Sequence, residues 1–133
     1  MASREVRVVV RDLRSFTELL VKRLALNVNA ELIRVTPVDT GWARANWVPN
    51  IGAPFEGTAG TREEAEAGLL NTAAQQSGLA SVATTYKLPL EVHQTNNVPY
   101  IELLNEGSSS QAPAMFVQAA ILRAVRGTVV RSR

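Results

Sequence analysis

From about Arg11 to Val35, apolar residues recur at steps of three or four: Leu13, Phe16, Leu20, Leu24, Val28, Leu32 and Val35. That spacing traces one face of an amphipathic helix. Leu19, Leu26 and Ile33, each seven residues from the next, add a flanking stripe and widen the apolar sector. Glu18 and Lys22 stand in the favourable i, i+4 order on the polar side. Thr36-Pro37 ends the helix, because a proline pushes the residue before it out of the helical region. At 1.5 Å rise per residue this helix is roughly 37 Å long. A compact chain of this size is only about 36 Å across. Part of the apolar surface is therefore expected to meet another subunit.

Beyond the stop, Ala43, Ala45, Trp47 and Pro49 alternate with Arg44, Asn46, Val48 and Asn50. The alternation predicts an extended segment from Trp42 to Pro54, with Trp47 on its apolar face and Arg44 on its polar face. Trp42 falls on the side opposite Trp47 and is the interface candidate of the two. Gly52, Pro54, Gly57 and Gly60 make a loop, and Thr61 with Glu64 forms a capping box. The Ala-rich helix that follows has acidic residues in its first turn, which complement its dipole, and Gly78 as its expected stop. Leu88–Gln94 alternates as a strand, with further strand over Leu79–Tyr86, and Asn96-Asn97 is turn chemistry.

Tyr100–Glu106 predicts a short helix closed by Gly107, then a polar loop at Ser108–Ser110. Pro113 suits the first turn of a last helix running to Arg126, with Gly127 as its end. Phe116, Val117, Ala120, Ile121, Ala124 and Val125 give that helix its core face. The layout predicts an α+β domain: a long N-terminal helix and a C-terminal helix packed on a small, mostly antiparallel sheet. One domain spans 1–133, with basic terminal segments at 1–10 and 127–133.

Composition narrows the chemistry. The chain has no Cys and a single His, which removes disulfides, thiolate nucleophiles and cysteine metal sites, and leaves no His pair. No cofactor and no enzymatic activity are expected. The net charge is only +2, yet twelve of the 14 cations are Arg, which raises the pI to about 9.5. Placement matters more: Arg4, Arg7, Arg11 and Arg14 mark the start, and Arg123, Arg126, Arg131 and Arg133 the end, around an acidic middle. These arginines either remain solvated or contact phosphates or an acidic partner surface. No apolar run approaches the ~18 residues of a membrane span and the start lacks a signal-peptide core, so a cytoplasm-like compartment is expected.

Asp39-Thr40-Gly41 matches the triplet of aspartic proteases, which need two carboxylates sharing a proton, as a homodimer could supply. The context differs: the triplet follows a long helix and Thr36-Pro37 instead of an apolar strand. A turn accounts for it better, with Pro37 fixing φ, Asp39 accepting amides and Gly41 supplying an unusual dihedral. His93 stands alone on a strand's polar face, and no phosphate loop or metal-ligand spacing is present.

Two segments taken together resemble a known family. Thr36-Pro37-Val38-Asp39-Thr40-Gly41-Trp42-Ala43-Arg44-Ala45-Asn46-Trp47 is similar to the "TPVDTG, two residues, Arg, two residues, Trp" signature of neck and tail-completion proteins of tailed bacteriophages. Asn96-Asn97-Val98-Pro99-Tyr100, then Gly107, Ser109 and Gln111-Ala112-Pro113, resembles the same family's second motif, and Ile51-Gly52-Ala53-Pro54 also fits between them. Leu104-Asn105-Glu106-Gly107 departs from the usual Leu-Glu-Tyr-Gly, and Trp42 stands where Arg or Lys is common.

The resemblance implies a structural virion protein, assembled in the host cytoplasm, that forms a homo-oligomeric ring in the neck, sixfold by that likeness. Its implied partners are a head-closing or stopper protein and a tail-terminator or tail-tube protein. The tape-measure protein and genome DNA in the lumen are further implied contacts, and a membrane is not. Pro37, Asp39, Thr40, Gly41, Trp42, Arg44, Trp47, Asn97, Pro99, Tyr100, Gly107, Ser109, Gln111, Ala112 and Pro113 are the implied structural or interface positions. Arg4, Arg7, Arg11, Arg123, Arg126, Arg131 and Arg133 are the candidates for DNA-channel or partner contact. Alternatives are the tail-terminator ring, a homodimeric aspartic protease through Asp39, and a nucleic-acid-binding module using the terminal arginines.

Overall fold

The structure, a computed structural model, describes residues 3–131, with backbone alone at 130 and 131. Ser3 opens the first helix by accepting the Val6 amide on its hydroxyl at 3.3 Å. Helix α1 then runs unbroken over Arg4–Val35, 32 residues and about 48 Å. It starts two turns before the expected Arg11. Val6, Val9 and Val10 continue the three-or-four step, but a valine-rich stretch carries weak helix propensity and hides the period. The stop falls where expected: Thr36 turns extended, and its amide still bonds the Leu32 carbonyl at 3.1 Å.

The expected extended segment from Trp42 resolves into two elements. Trp42–Ala45 form one helical turn, α2, with Gly41 at its N-cap in the left-handed region (φ 85°). Strand β1 covers only Val48–Ile51. Thr61 caps α3 (Arg62–Glu66), its hydroxyl accepting the Glu64 amide at 3.1 Å. The helix ends there, and after a short connection α4 runs Ala73–Thr85. Gly78 lies inside α4 and does not end it, and the expected strand over Leu79–Tyr86 is the last part of that helix and its C-cap. Strand β2 is shorter than expected, Val92–Thr95, and pairs antiparallel with β1 in the register Val48↔Thr95 to Ile51↔Val92.

Helix α5 (Ile101–Asn105) closes at Gly107, φ 97°, as expected. Helix α6 is Phe116–Arg131, so Pro113 precedes it by three residues and Gly127 lies within it. Phe116, Ala120, Ala124 and Thr128 form its buried row, whereas Ile121 and Val125 stay exposed. The result is the α+β class: two antiparallel strands with α4 packed on β1, and α1 and α6 packed side by side.

Asn27 donates to the Thr128 hydroxyl at 2.8 Å, and Arg123 to the Glu31 carboxylate at 3.2 Å, which sets α6 antiparallel to α1. The core divides in two. Leu32, Trp47 and Ala120 form one cluster, Trp42, Ala43, Ala65 and Val98 the other, and Ile101 packs against both.

Candidate functional site

Thr36 has two tasks once it leaves the helix. Its hydroxyl donates to the Leu32 carbonyl at 2.6 Å and accepts the Trp47 indole N–H at 2.8 Å. Arg44 reaches the same helix end: Nε donates to the Thr36 carbonyl at 2.6 Å and a terminal nitrogen to Arg34 O at 3.2 Å. Those carbonyls have no partner within α1, so a guanidinium satisfies them and complements the negative end of the helix dipole. Arg44 is thus a cap within the chain, half-buried, rather than a group on a free polar face.

Trp42 is 7% exposed and Trp47 6%, so both are core residues and Trp42 is not an exposed interface side chain. The Trp42 indole donates to the Ala59 carbonyl at 3.3 Å, and Asn46 clamps the same loop through Ala59 N and O. The Trp42 amide is taken by Thr40 Oγ1 at 3.3 Å, not by Asp39, which is exposed on the bend. No second carboxylate is brought to Asp39 among the residues that line its cleft. Among the described residues no three His, Asp or Glu side chains cluster as a metal site.

The second motif folds onto the first. Asn96 Nδ2 donates to the Ala43 carbonyl at 2.8 Å while its Oδ1 accepts the Val98 amide, and Asn97 holds Phe55 O and Gly57 O. The Tyr100 ring lies tilted against Trp42, centroids 6.0 Å apart. Burial pushes the Tyr100 phenol pKa up, opposed by Arg62 and a hydrogen bond with Thr40. Gln111 takes the Val38 amide on Oε1 at 2.8 Å and donates Nε2 to the Val38 carbonyl at 3.0 Å. Ser109 Oγ accepts the Gln111 amide, which sets that side chain's approach. Ala112 is buried, while Pro99 and Pro113 are exposed.

Around this junction lies a cleft of about 530 Å³, with Asp39, Thr40, Arg62, Tyr100, Ser109 and Gln111 on its walls. A second, of about 400 Å³, shares Gln111 and holds Arg34, Arg44 and Arg123. Glu31 takes Arg34 at 2.8 Å and Arg123 at 3.2 Å, and Arg34 above all holds its carboxyl below the ordinary range.

Two residues absent from the sequence expectations hold the site from beneath. Buried Gln75 donates to both Arg44 O and Trp47 O, and buried Asn29 to Trp47 O and the Gln94 side chain. Asn29 is legible in hindsight, as a polar residue four positions from buried Ala25 and three from buried Leu32. Gln75 carries no such signal.

The basic residues distribute differently. Arg4, Arg7 and Arg11 are exposed along the first part of α1, with Arg11 paired to Asp12 at 3.3 Å. Arg123 is tied to Glu31, and Arg126 is exposed on α6. The antiparallel register carries the C-terminal turns of α6 toward the arginine-rich part of α1. Arg131 is described by its backbone alone, and Arg133 lies outside the described residues. No protein-family model, curated protein or solved structure matches this chain.

Proposed function

We propose that this chain is a structural subunit of the neck of a tailed bacteriophage: a tail-completion protein whose ring joins the DNA-filled head to the tail. The observation that carries the reading is that the two resembling segments, sixty residues apart in sequence, form one packed unit. Gln111 binds the Val38 backbone, Asn96 binds Ala43 and Tyr100 packs on Trp42. A fortuitous likeness of two separate stretches gives no reason for such pairing. The departure at Leu104–Gly107 leaves the unit intact, since Gly107 supplies the left-handed closure of α5 with Glu106 before it.

In this role no bond is made or broken. The subunit forms a homo-oligomeric ring between a stopper protein and a tail-terminator or tail-tube protein, in the virion and, during assembly, in the host cytoplasm. Exposed Arg4, Arg7, Arg11 and Arg126 are the residues for partner or DNA contact. No helix among the described residues is long and apolar enough to cross a membrane.

The test is deletion of the gene from a phage that carries it. Filled heads and separate, normal-length tails should accumulate, and purified protein should join them in the lysate. Joined particles lacking the protein overturn the reading, and tails of unregulated length replace it with the tail-terminator ring.

A further inference from the structure

Every residue from Ser3 to Thr17 is exposed. The body takes hold of α1 at Glu18, whose carboxylate accepts the Leu88 amide at 3.2 Å. Arg4–Thr17 is therefore an arm of about 21 Å projecting from the domain. It is not a polar arm. Val6, Val9, Leu13 and Phe16 fall at steps of three and four, the spacing of a helix–helix seam, with Val10 beside them. Each is half or more exposed; Leu13 reaches 61%. Together they leave on the order of 500 Å² bare, near the upper limit for patches on monomers.

Propensity makes the case sharper. A free helix of this length is marginal in water even with good helix formers. This one contains Val6, Val8, Val9 and Val10, which lose side-chain freedom in a helix. Packing must hold it.

The same chain carries an unfilled apolar groove of about 300 Å³. Val21, Leu24 and Val28 of α1 form its floor, with Val92 of β2 and Ile121 of α6 as walls. The polar side chain in its lining is Gln94, and both ends of that amide are already engaged, by Ala25 O and Asn29 Nδ2. The groove asks for an apolar ridge. The arm of the same molecule cannot supply it, because arm and groove floor belong to one helix without a glycine or proline to bend it.

We propose that the arm of one copy lies in this groove of a second copy, with Leu13 and Phe16 against Leu24, Val28 and Ile121. A second copy is the occupant that the area favours. The arm's bare face, set against an equal area of a second copy centred on the groove, buries about 1,000 Å² in total, at the lower limit of a specific interface. Each chain offers one arm and one groove, so copies engaging both double that burial and leave neither bare. The contact does not rest on the neck reading, because it is a property of the purified protein.

The chain has no cysteine, so introduced thiols report without background. Phe16→Cys and Ile121→Cys proteins, mixed and treated with a bis-maleimide whose linker is a single ethylene unit, should give a crosslinked dimer that neither protein gives alone. A dimer from Phe16→Cys alone would mean arm-to-arm pairing and overturn the proposal, as would no dimer in the mixture. Sedimentation supplies the second measurement. Leu13→Asp with Phe16→Asp, both on exposed positions, should weaken association by at least about a hundredfold and lower helix content by circular dichroism. Unchanged association overturns it. Virions that assemble normally without the protein would sink the neck reading and leave this contact standing.

Discussion

Gln111 and Val38 are joined by two hydrogen bonds, a side-chain amide against a backbone amide, across 73 positions of sequence. This pair ties the loop before α6 to the turn after α1. Both bonds are exposed, so each contributes at the low end of the usual range. Gln111→Ala should cost about 1 kcal/mol in urea unfolding. Gln111→Glu should cost more, since it keeps an acceptor but sets a negative charge beside the Val38 carbonyl.

Gly41 holds φ at 85°, where an L side chain is strained. An added Cβ would also meet Leu70 Cδ1 at 2.7 Å, though that methyl can move. Gly41→Val should lower stability by about 1–3 kcal/mol. Gly41→Asn, which tolerates the left-handed region, should retain more of it. Equal melting temperatures for the two variants would show that space, not backbone strain, decides the position.

Two helical glycines should respond with opposite signs. A Cβ on Gly78 would run into the Pro49 carbonyl oxygen of β1, a backbone atom that cannot step aside. Gly78→Ala should therefore destabilise by about 1–3 kcal/mol or prevent folding. Gly127, in α6, has nothing within 4 Å of its would-be Cβ. Gly127→Ala should gain about 0.5–1 kcal/mol from helix propensity alone. Chemical denaturation of both proteins checks the pair.

Glu31 gives an acid-dependent contribution. Its carboxyl is held below the ordinary 4.5, first by the Arg34 hydrogen bond and then by Arg123, against the opposing effect of burial. Between its folded value and 4.5 the unfolded chain binds more protons than the folded one, so stability is full above 4.5 and falls as pH drops below it. Glu31→Gln should flatten that part of the stability–pH curve and leave its slope above pH 5 unchanged. An unaltered acid limb would contradict the ion pairs.

Signals within a few residues of their cause were legible in the sequence. The body of α1, its stop at Thr36-Pro37, the Thr61 cap and the closure of α5 at Gly107 all depend on near neighbours. Gly78 looks like a helix end in the sequence because the cause of that glycine, the Pro49 carbonyl, lies 29 residues earlier on another element. Sequence alternation places Trp42 and Trp47 on opposite sides of one strand because a four-residue helical turn leaves no period to detect. The motif positions were legible as positions, but Gln75 and Asn29, which hold their carbonyls, became visible only after the chain had folded.

Without a glycine or proline along its 32 residues, α1 is also a lever. Its fulcrum is the stretch gripped by α6, β1 and Arg44, and its far end is Arg4. A tilt of about 10° at the fulcrum moves a 21 Å arm's tip by roughly 4 Å, more than two residues of helical rise. One unbroken helix thus runs from Arg4 to the residue before Thr36, where Arg44 and Trp47 are bound.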